Sequence, residues 1–313
     1  MPTTVRVATY NLYLGADVTV VFGVSSQVEL ERAARVVLDQ LVATDFAARA
    51  TAIAALMVRE RVDLVGLQEV ARWSREMAMP GGGAGTEVWL DFLSVLLDAL
   101  TEAGQPYDVH ASTPNFTGGA HIEGQFAMEV LGHNVVLVRR GGPVTVLSSR
   151  TGDFDARLDI VTGMPDPVLS IARSWGWVDA EVNGRRFRFV NSHLEAWDEN
   201  VRNRQRNELL AAIGDPDRPV VVVGDFNATP DRVGMPREYV DAWAVAGRGG
   251  TGSTSGQRAD LTGESTLDAR IDYVWVRGAH VEGCRVVGDR PEDRTASGLW
   301  PSDHAAVIAD ITI

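Results

Sequence analysis

The feature that most narrows the possible folds is a series of short β-branched runs that stop at, or start from, polar groups. VRVATY at 5–10, VDLVGLQ at 62–68, NVVLVRR at 134–140, FRFVNSHL at 187–194, PVVVVGD at 219–225, DYVWV at 272–276 and AAVIADITI at 305–313 read as strands spread over the whole chain. Helical periodicity fills some of the gaps. Leu30, Ala34, Val37, Leu38 and Leu41 share one stripe, Ile53, Leu56 and Met57 the next, and Trp89, Phe92, Leu93, Leu96 and Leu100 predict a helix over 87–102. Strands outnumber helices, and links such as VNGRR at 182–186 are turn-like. An α/β architecture with mostly antiparallel sheets and flanking helices is therefore expected, not a pure βαβ wind. The glycine-rich tracts at 80–85 and 247–256 read as mobile loops within one domain spanning 1–313, because strand signals continue on each side.

A chain of 313 residues, 45% hydrophobic and 23% charged, has enough apolar content to bury a large core. No run approaches the roughly 18 to 20 apolar residues of a membrane helix, so no membrane span is expected. MPTTVRVATY lacks the basic-then-apolar pattern of a signal peptide; a cytoplasmic location is expected, or a secreted one if a leader has been removed. Cys284, the single cysteine, excludes an internal disulfide and fits a reducing compartment. The net charge of −13 disfavours tight scanning of duplex DNA, although a metal and a local basic rim would let an acidic body hold an anion. A monomer is expected.

The strand signals end on chemistry. Thr9-Tyr10-Asn11, Gln68-Glu69, Asn191-Ser192-His193 and Gly224-Asp225-Phe226-Asn227 each close a strand, Asp272 opens DYVWV, and Ser302-Asp303-His304 precedes the last. Such groups stand at a sheet edge, where loops converge on a site. Any one alone reads as a cap or a turn residue; six together point to a shared cavity. A cluster of Glu69, Asp225, Asp272 and Asp303 needs a cation or a proton, because two unit charges ~4 Å apart repel by about 4 kcal/mol at an effective dielectric near 20. Oxygen donors with few histidines suit Mg²⁺ or Mn²⁺ better than zinc. HExxH and GxxxxGK[ST] are both missing, which argues against a zinc-protease helix and a P-loop.

In their order along the chain, TYN at 9–11, LQEV at 67–70, NSHL at 191–194, GDFN at 224–227, RIDYV at 270–274 and SDH at 302–304 resemble the motifs of the endonuclease/exonuclease/phosphatase superfamily. The resemblance implies a DNase I-like, four-layer α/β/β/α sandwich of two mixed, mostly antiparallel sheets, and a metal-dependent hydrolase of phosphate esters. It further implies that Glu69 is the principal metal carboxylate, with Asn11 and Asp303 completing the shell of Mg²⁺ or Mn²⁺ directly or through water. Asp225, helped by Asn227, would orient and deprotonate the attacking water. His304, held by Asp272, would contact the scissile phosphate, and His193 would donate to a phosphoryl oxygen or protonate the leaving oxygen. In-line attack on phosphorus needs these parts: a positioned nucleophile, donors for the equatorial oxygens, and a cation or acid on the leaving oxygen.

One position departs from the pattern. Nuclease-like members carry an acid ahead of the strand matching NVVLVRR, where it pairs with the histidine matching His193. Here the sequence is Gly132-His133-Asn134, so Asn134 is at most a substitute ligand and His193 is expected to lack a carboxylate partner. Trp73, Trp197 and Trp300 each lie within four residues of a motif residue and either pin loops or line the mouth, Trp197 being the candidate for substrate contact. Arg202, Arg204 and Arg206 read as solvated charge on a polar helix or, beside the site, as a grip on a second phosphate, and Arg72 is a similar candidate. The glycosylation sequon Asn115-Phe116-Thr117 carries no meaning without export. The expected substrate is a small-molecule or lipid-type phosphate ester. The alternatives are a Mg²⁺-dependent endonuclease of the same mechanism and a noncatalytic binding protein on the same fold.

Overall fold

A computed structural model describes residues 3–78, 84–122, 126–161 and 168–313. In chain order the elements are β1 (Thr4–Asn11), α1 (Gln27–Ala43), α2 (Phe46–Glu60), β2 (Leu64–Ala78), β3 (Ala84–Asp91), α3 (Phe92–Glu102), β4 (Tyr107–Ile122), β5 (Phe126–Arg139), β6 (Thr145–Asp153), β7 (Leu158–Val161), β8 (Val168–Ile171), β9 (Ser174–Val182) and β10 (Arg185–His193). They continue as α4 (Glu199–Ile213), β11 (Val220–Asp225), β12 (Val240–Asp241), α5 (Ala242–Ala246), β13 (Asp272–Arg277), β14 (His280–Val287) and β15 (Ala306–Thr312). Every strand expected from the sequence is present. The helix expected over 87–102 begins only at Phe92, and this is a correction: 84–91 is a strand whose residues pair with β2 from Arg72↔Asp91 to Ala78↔Ala84. Asp91 then caps the helix by accepting from the Ser94 N–H at 3.1 Å. Trp89 therefore faces Arg75 across the strand pair instead of extending the helical stripe. Residues 80–83 of the first glycine-rich tract lie outside the described residues.

Two sheets stack face to face. One runs β14-β15-β1-β2-β5-β4 with β3 paired to β2; the other runs β12-β13-β11-β10-β9-β6. Val5, Val7, Val136 and Val138 of the first meet Phe187, Phe189, Val221 and Val223 of the second in the central core. On the outer face of the first sheet, Val65 and Leu67 pack under Leu41, Ile53 and Leu96 from α1 to α3. On the outer face of the second, Val190, Val220 and Val222 lie against Leu209 and Ile213 of α4. The result is the α/β/β/α sandwich expected from the motifs. It also explains why PVVVVGD is apolar without alternation. Val220 to Val223 are all fully buried because both faces of β11 are covered, each such side chain contributing about 1.5–3 kcal/mol.

Most strand pairs are antiparallel, but each sheet holds a parallel pair, and these place the chemistry. In β1 and β2, Asn11 lies opposite Gln68; in β10 and β11, His193 lies opposite Asp225. Both pairs end at the same rim of the sandwich, where Asn191 joins them. Its amide donates to the Leu67 and Val135 carbonyls of the other sheet at 2.9 and 3.0 Å, and its oxygen accepts from Gln68 Nε2 at 2.6 Å. This approach requires Gly66, because a Cβ there would stand 2.6 Å from Asn191 Oδ1. Gly224 is needed for a similar reason, since a Cβ would fall 2.0 Å from the Ser192 carbonyl oxygen. Among the described residues, no single helix is long and apolar enough to cross a membrane.

Candidate active site

Glu69 enters the site through a defect in its strand. The β2–β5 register slips between Leu67 and Val70, and Glu69 adopts φ 53°, a left-handed conformation costly for a residue with a side chain. The bulge turns its carboxylate toward β1, where Oε1 accepts from Asn11 Nδ2 at 3.1 Å and Oε2 from the Leu14 N–H at 2.9 Å. Asn11 Nδ2 also donates to Asp225 Oδ2 at 3.1 Å. The orientation of that amide is fixed because the Tyr13 N–H, a donor only, contacts Asn11 Oδ1 at 2.9 Å. The structure thus places Asn11 as a bridge between acids of the two sheets, its donors spent on both.

Asp303 lines the same cavity as Glu69. Burial pushes its carboxyl up to about 6; His304 and Arg49 oppose the rise, and Glu69 reinforces it. These carboxylates crowd one another, and the two buried cations that oppose the rise are both held by other groups, His304 by Asp272 and Arg49 by main-chain carbonyls. Arg49, fully buried, spends its guanidinium on the carbonyls of Leu12, Tyr13, Thr44 and Pro301. An oxygen-rich pair of acids that crowd each other fits a hard divalent ion, with Glu69 and Asp303 as the residues that would hold it.

Beside them stand Asp225, Asp272 and His304, one donor atom of each lying within 4.8 Å of the others, a group also able to hold a metal ion. Within it His304 Nδ1 meets Asp272 Oδ2 at 2.8 Å, and Nε2 lies 3.9 Å from Asp225 Oδ2. Burial works against charging His304, yet Asp272, Asp303 and Asp225 outweigh it and raise its pKa well above the ordinary 6.5. Asp272 Oδ1 is buried without a hydrogen-bond partner. Burial, then the Asp272 charge, raises the Asp225 carboxyl to about 7. Asn227, also left-handed at φ 48°, donates its backbone N–H to Asp225 Oδ1 at 2.9 Å.

His193, at the end of β10, is buried with Nε2 3.5 Å from Asp225 Oδ2. At Nδ1 it faces Arg173 Nη1 at 3.3 Å and not an acid, but the expectation that the ring has no carboxylate beside it is corrected by Asp225 at Nε2. Burial, Arg173 and His304 hold its pKa well below 6.5.

The rim encloses a cavity of about 290 Å³ bounded by Tyr13, Leu14, Asn115, Phe116 and Trp197 as well as Glu69, Asp303 and Arg173. Of the substrate-contact candidates, Trp197 is half exposed on this wall, edge-on to Phe22. The other three are placed differently, and each is a correction. Asn134 is buried behind the wall, its amide donating to Ser174 and its oxygen accepting from Asn115 Nδ2. Arg202 turns inward and ties the Glu195 and Ala196 carbonyls to α4. Arg72 is exposed on a separate, smaller cleft with Ser112 and His133. Trp73 and Trp300 are buried and pin loops, Trp73 Nε1 donating to the Leu14 carbonyl at 2.9 Å and Trp300 Nε1 to Gly263 at 3.3 Å. The sequence reading missed Arg173, Glu195, Tyr13 and Asn115. Asn115 was visible only as a sequon, and nothing local marks the others, since Arg173 reaches His193 across 20 residues of chain.

The model of the Endonuclease/Exonuclease/phosphatase family matches residues 8–304. No curated protein matches the chain in sequence. Among solved structures, an endonuclease/exonuclease/phosphatase family protein from Bacteroides thetaiotaomicron superposes with a TM-score of 0.63 at 19% identity, covering 100% of this chain and 99% of its own. A mannosyl-6-phosphatase from Bacteroides thetaiotaomicron VPI-5482 gives 0.61 at 18%, covering 99% and 100%. TDP2 from D. rerio, complexed with a single-strand DNA product, gives 0.60 at 14%, covering 99% and 100%. At these identities the structural likeness speaks for the fold, while the sequence match runs from Ala8 to His304 and takes in every motif of the rim; the chain belongs to the endonuclease/exonuclease/phosphatase family.

Proposed function

We propose that residues 1–313 form one domain that hydrolyses a small-molecule or lipid-type phosphate ester by in-line attack of an activated water, with Mg²⁺ or Mn²⁺ held by Glu69 and Asp303. The observation that carries this reading is the Asn11 amide, which lies 3.1 Å from both Glu69 and Asp225 and so joins the acid of one sheet to the acid of the other. A bound cation supplies charge neutralisation for the phosphate and the leaving oxygen. Asp225, with its carboxyl raised to about 7, is suited to take a proton from water near neutral pH, and Asn227 fixes its orientation. The imidazolium of His304, held by Asp272, neutralises charge developing on the phosphoryl oxygens. His193 donates a hydrogen bond to one of those oxygens.

Substrate size follows from the cavity. Arg173 is the only lysine or arginine among the described residues lining it, and the net charge is −13. A ligand with a single phosphoryl group and a compact apolar or ring-shaped remainder fits this wall better than a polynucleotide, which needs a row of cations along its backbone. The test is a metal-dependent screen over nitrophenyl phosphate, bis-nitrophenyl phosphate, phospholipids, nucleotides and plasmid DNA. Turnover of a small ester is expected, abolished by EDTA, and reduced by at least about 100-fold in Glu69→Ala and Asp225→Asn. Activity that survives chelation or either substitution overturns the assignment, and preferential nicking of DNA promotes the endonuclease.

A further inference from the structure

The second glycine-rich tract, read from the sequence as a mobile loop, ends in a segment that is stitched into the site. Thr254 is fully buried, and its Oγ1 accepts from the Ile271 and Asp272 N–H groups, both at 3.2 Å. Its carbonyl accepts from the Ala305 N–H at 2.7 Å. The Ser255 carbonyl accepts from the Asp268 and Ala269 N–H groups at 3.0 and 3.2 Å, and the Gln257 N–H donates to the Asp303 carbonyl at 3.2 Å. Ser255 is thus bridged to Ala269 on one side and to His304 on the other, between the segment that leads into Asp272 and the one that carries Asp303 and His304.

This stitching uses the main chain of Ser255 and the hydroxyl of Thr254; the hydroxyl of Ser255 takes no part in it. Ser255 is half-buried, and its Oγ lies 3.4 Å from His304 Nε2, nearer than Asp225 Oδ2 at 3.9 Å. Among the described residues Oγ makes no other hydrogen bond. The 3.4 Å contact is longer than the roughly 2.7–3.2 Å of a full hydrogen bond, so the hydroxyl is not committed to the ring. A hydroxyl both donates and accepts, and the contact therefore suits Nε2 with or without a hydrogen.

Two polar atoms at this separation can share a third. An oxygen about 2.8 Å from each, the length of an ordinary hydrogen bond, closes a triangle with Oγ and Nε2. Asp272 holds Nδ1 of His304 at 2.8 Å, which leaves Nε2 as the end of the ring that meets the reacting group. A phosphoryl oxygen brought among Asp225, Asp272 and Asp303 needs donors, and a serine supplies one without adding charge. We propose that the Ser255 hydroxyl is a phosphoryl ligand, donating to the oxygen that His304 Nε2 contacts. The inference rests on the hydrolase reading for its purpose. It gives that oxygen two side-chain partners from separate segments, held in register by Thr254.

Ser255→Ala and Ser255→Thr are compared with the unsubstituted protein in turnover of the ester found in the screen, in affinity for inorganic phosphate by calorimetry with Mg²⁺ present, in Mn²⁺ affinity and in Tm. Ser255→Ala is expected to lose about 10- to 100-fold in kcat/KM and about 10-fold in phosphate affinity, with Mn²⁺ affinity and Tm unchanged. Ser255→Thr, which keeps a hydroxyl, is expected to recover part of both losses. Unchanged phosphate affinity in a folded Ser255→Ala overturns the proposal. A crystal structure of the unsubstituted protein with Mg²⁺ and phosphate decides even if the variants fail to fold. Ser255 Oγ is expected within about 3.0 Å of a phosphate oxygen; a phosphate on His304 beyond its reach, or no bound phosphate, overturns the proposal. Phosphate held by Ser255 in a protein that turns over no ester upholds the ligand and sinks the hydrolase reading alone, whereas undiminished metal-dependent turnover in Ser255→Ala does the reverse.

Discussion

Asp225 and Asp303 carry the tension of this site, because folding brings them out of water and next to other acids. Burial is the largest cause in both, and it raises Asp225 to about 7 and Asp303 to about 6 from an ordinary 3.8. The folded protein therefore keeps protons that the unfolded chain releases. Their contribution to stability is present at low pH and is lost as pH rises from about 4 through about 7, each tenfold change in proton affinity corresponding to about 1.4 kcal/mol. His304, raised above 6.5, likewise contributes below that value and loses its contribution as pH climbs through its folded pKa. In metal-free buffer, the decline of Tm attributable to Asp225 is expected to flatten in Asp225→Asn, and added Mg²⁺ is expected to flatten it in the unsubstituted protein. Thermal denaturation with EDTA across that pH range measures this, and an equal slope in the variant counts against a raised Asp225. The sequence drew attention to these acids because Asp225 closes a strand signal and Asp303 stands just ahead of one. It missed Arg173 and Glu195 because a buried arginine and a buried glutamate read as surface charge until their partners are known.

Among the elements, α2 does work that its sequence conceals. Its apolar stripe announced a packing helix, yet Arg49 lies on the buried side, fully enclosed beside the stacked rings of Phe46 and Phe92. Its hydrogen bonds to the Leu12, Tyr13 and Pro301 carbonyls hold together the loop after Asn11 and the loop before Asp303. Burial lowers its pKa to about 10, so it remains charged at neutrality. Arg49→Met strips buried carbonyls of their donor and is expected to cost at least about 3 kcal/mol of stability, read as a lower Tm. The same variant is expected to bind Mn²⁺ more weakly in a titration of the metal-free protein, and unchanged Mn²⁺ affinity would show that the two loops find their positions without Arg49. The helix misjudged at its start shows a related limit. Trp89 falls in phase with Phe92 and Leu96 by helical spacing, but pairing with β2 decides its conformation.

For the molecule as a whole, the site exists because two sheets present their strand ends at one rim, and Asn191 fixes their relative height. Its amide reaches Leu67 and Val135 of the opposite sheet, and Gly66 leaves the room for it. Asn191→Leu keeps the volume and removes these bonds. It is expected to lose about 2–4 kcal/mol in chemical denaturation, with turnover falling more than metal binding does. Glu69 and Asp303 both lie on the first sheet's side of the rim, while Asp225 belongs to the second. Full activity in Asn191→Leu would show that the sheets find their register without this pin.

The strand runs, their polar endings and the order of the motifs were local properties, and so the sandwich, the family and the acids and histidines of the rim could be read from the sequence alone. What only the tertiary structure decided was direction and company. A bulge turned Glu69 inward, Asn11 became a bridge, Asn134 and Arg202 were drawn into the framework, and Arg72 was carried to another cleft. Residue type fixes what a side chain is able to do, but its neighbours come from strand register and sheet stacking, which depend on contacts between residues far apart in the chain.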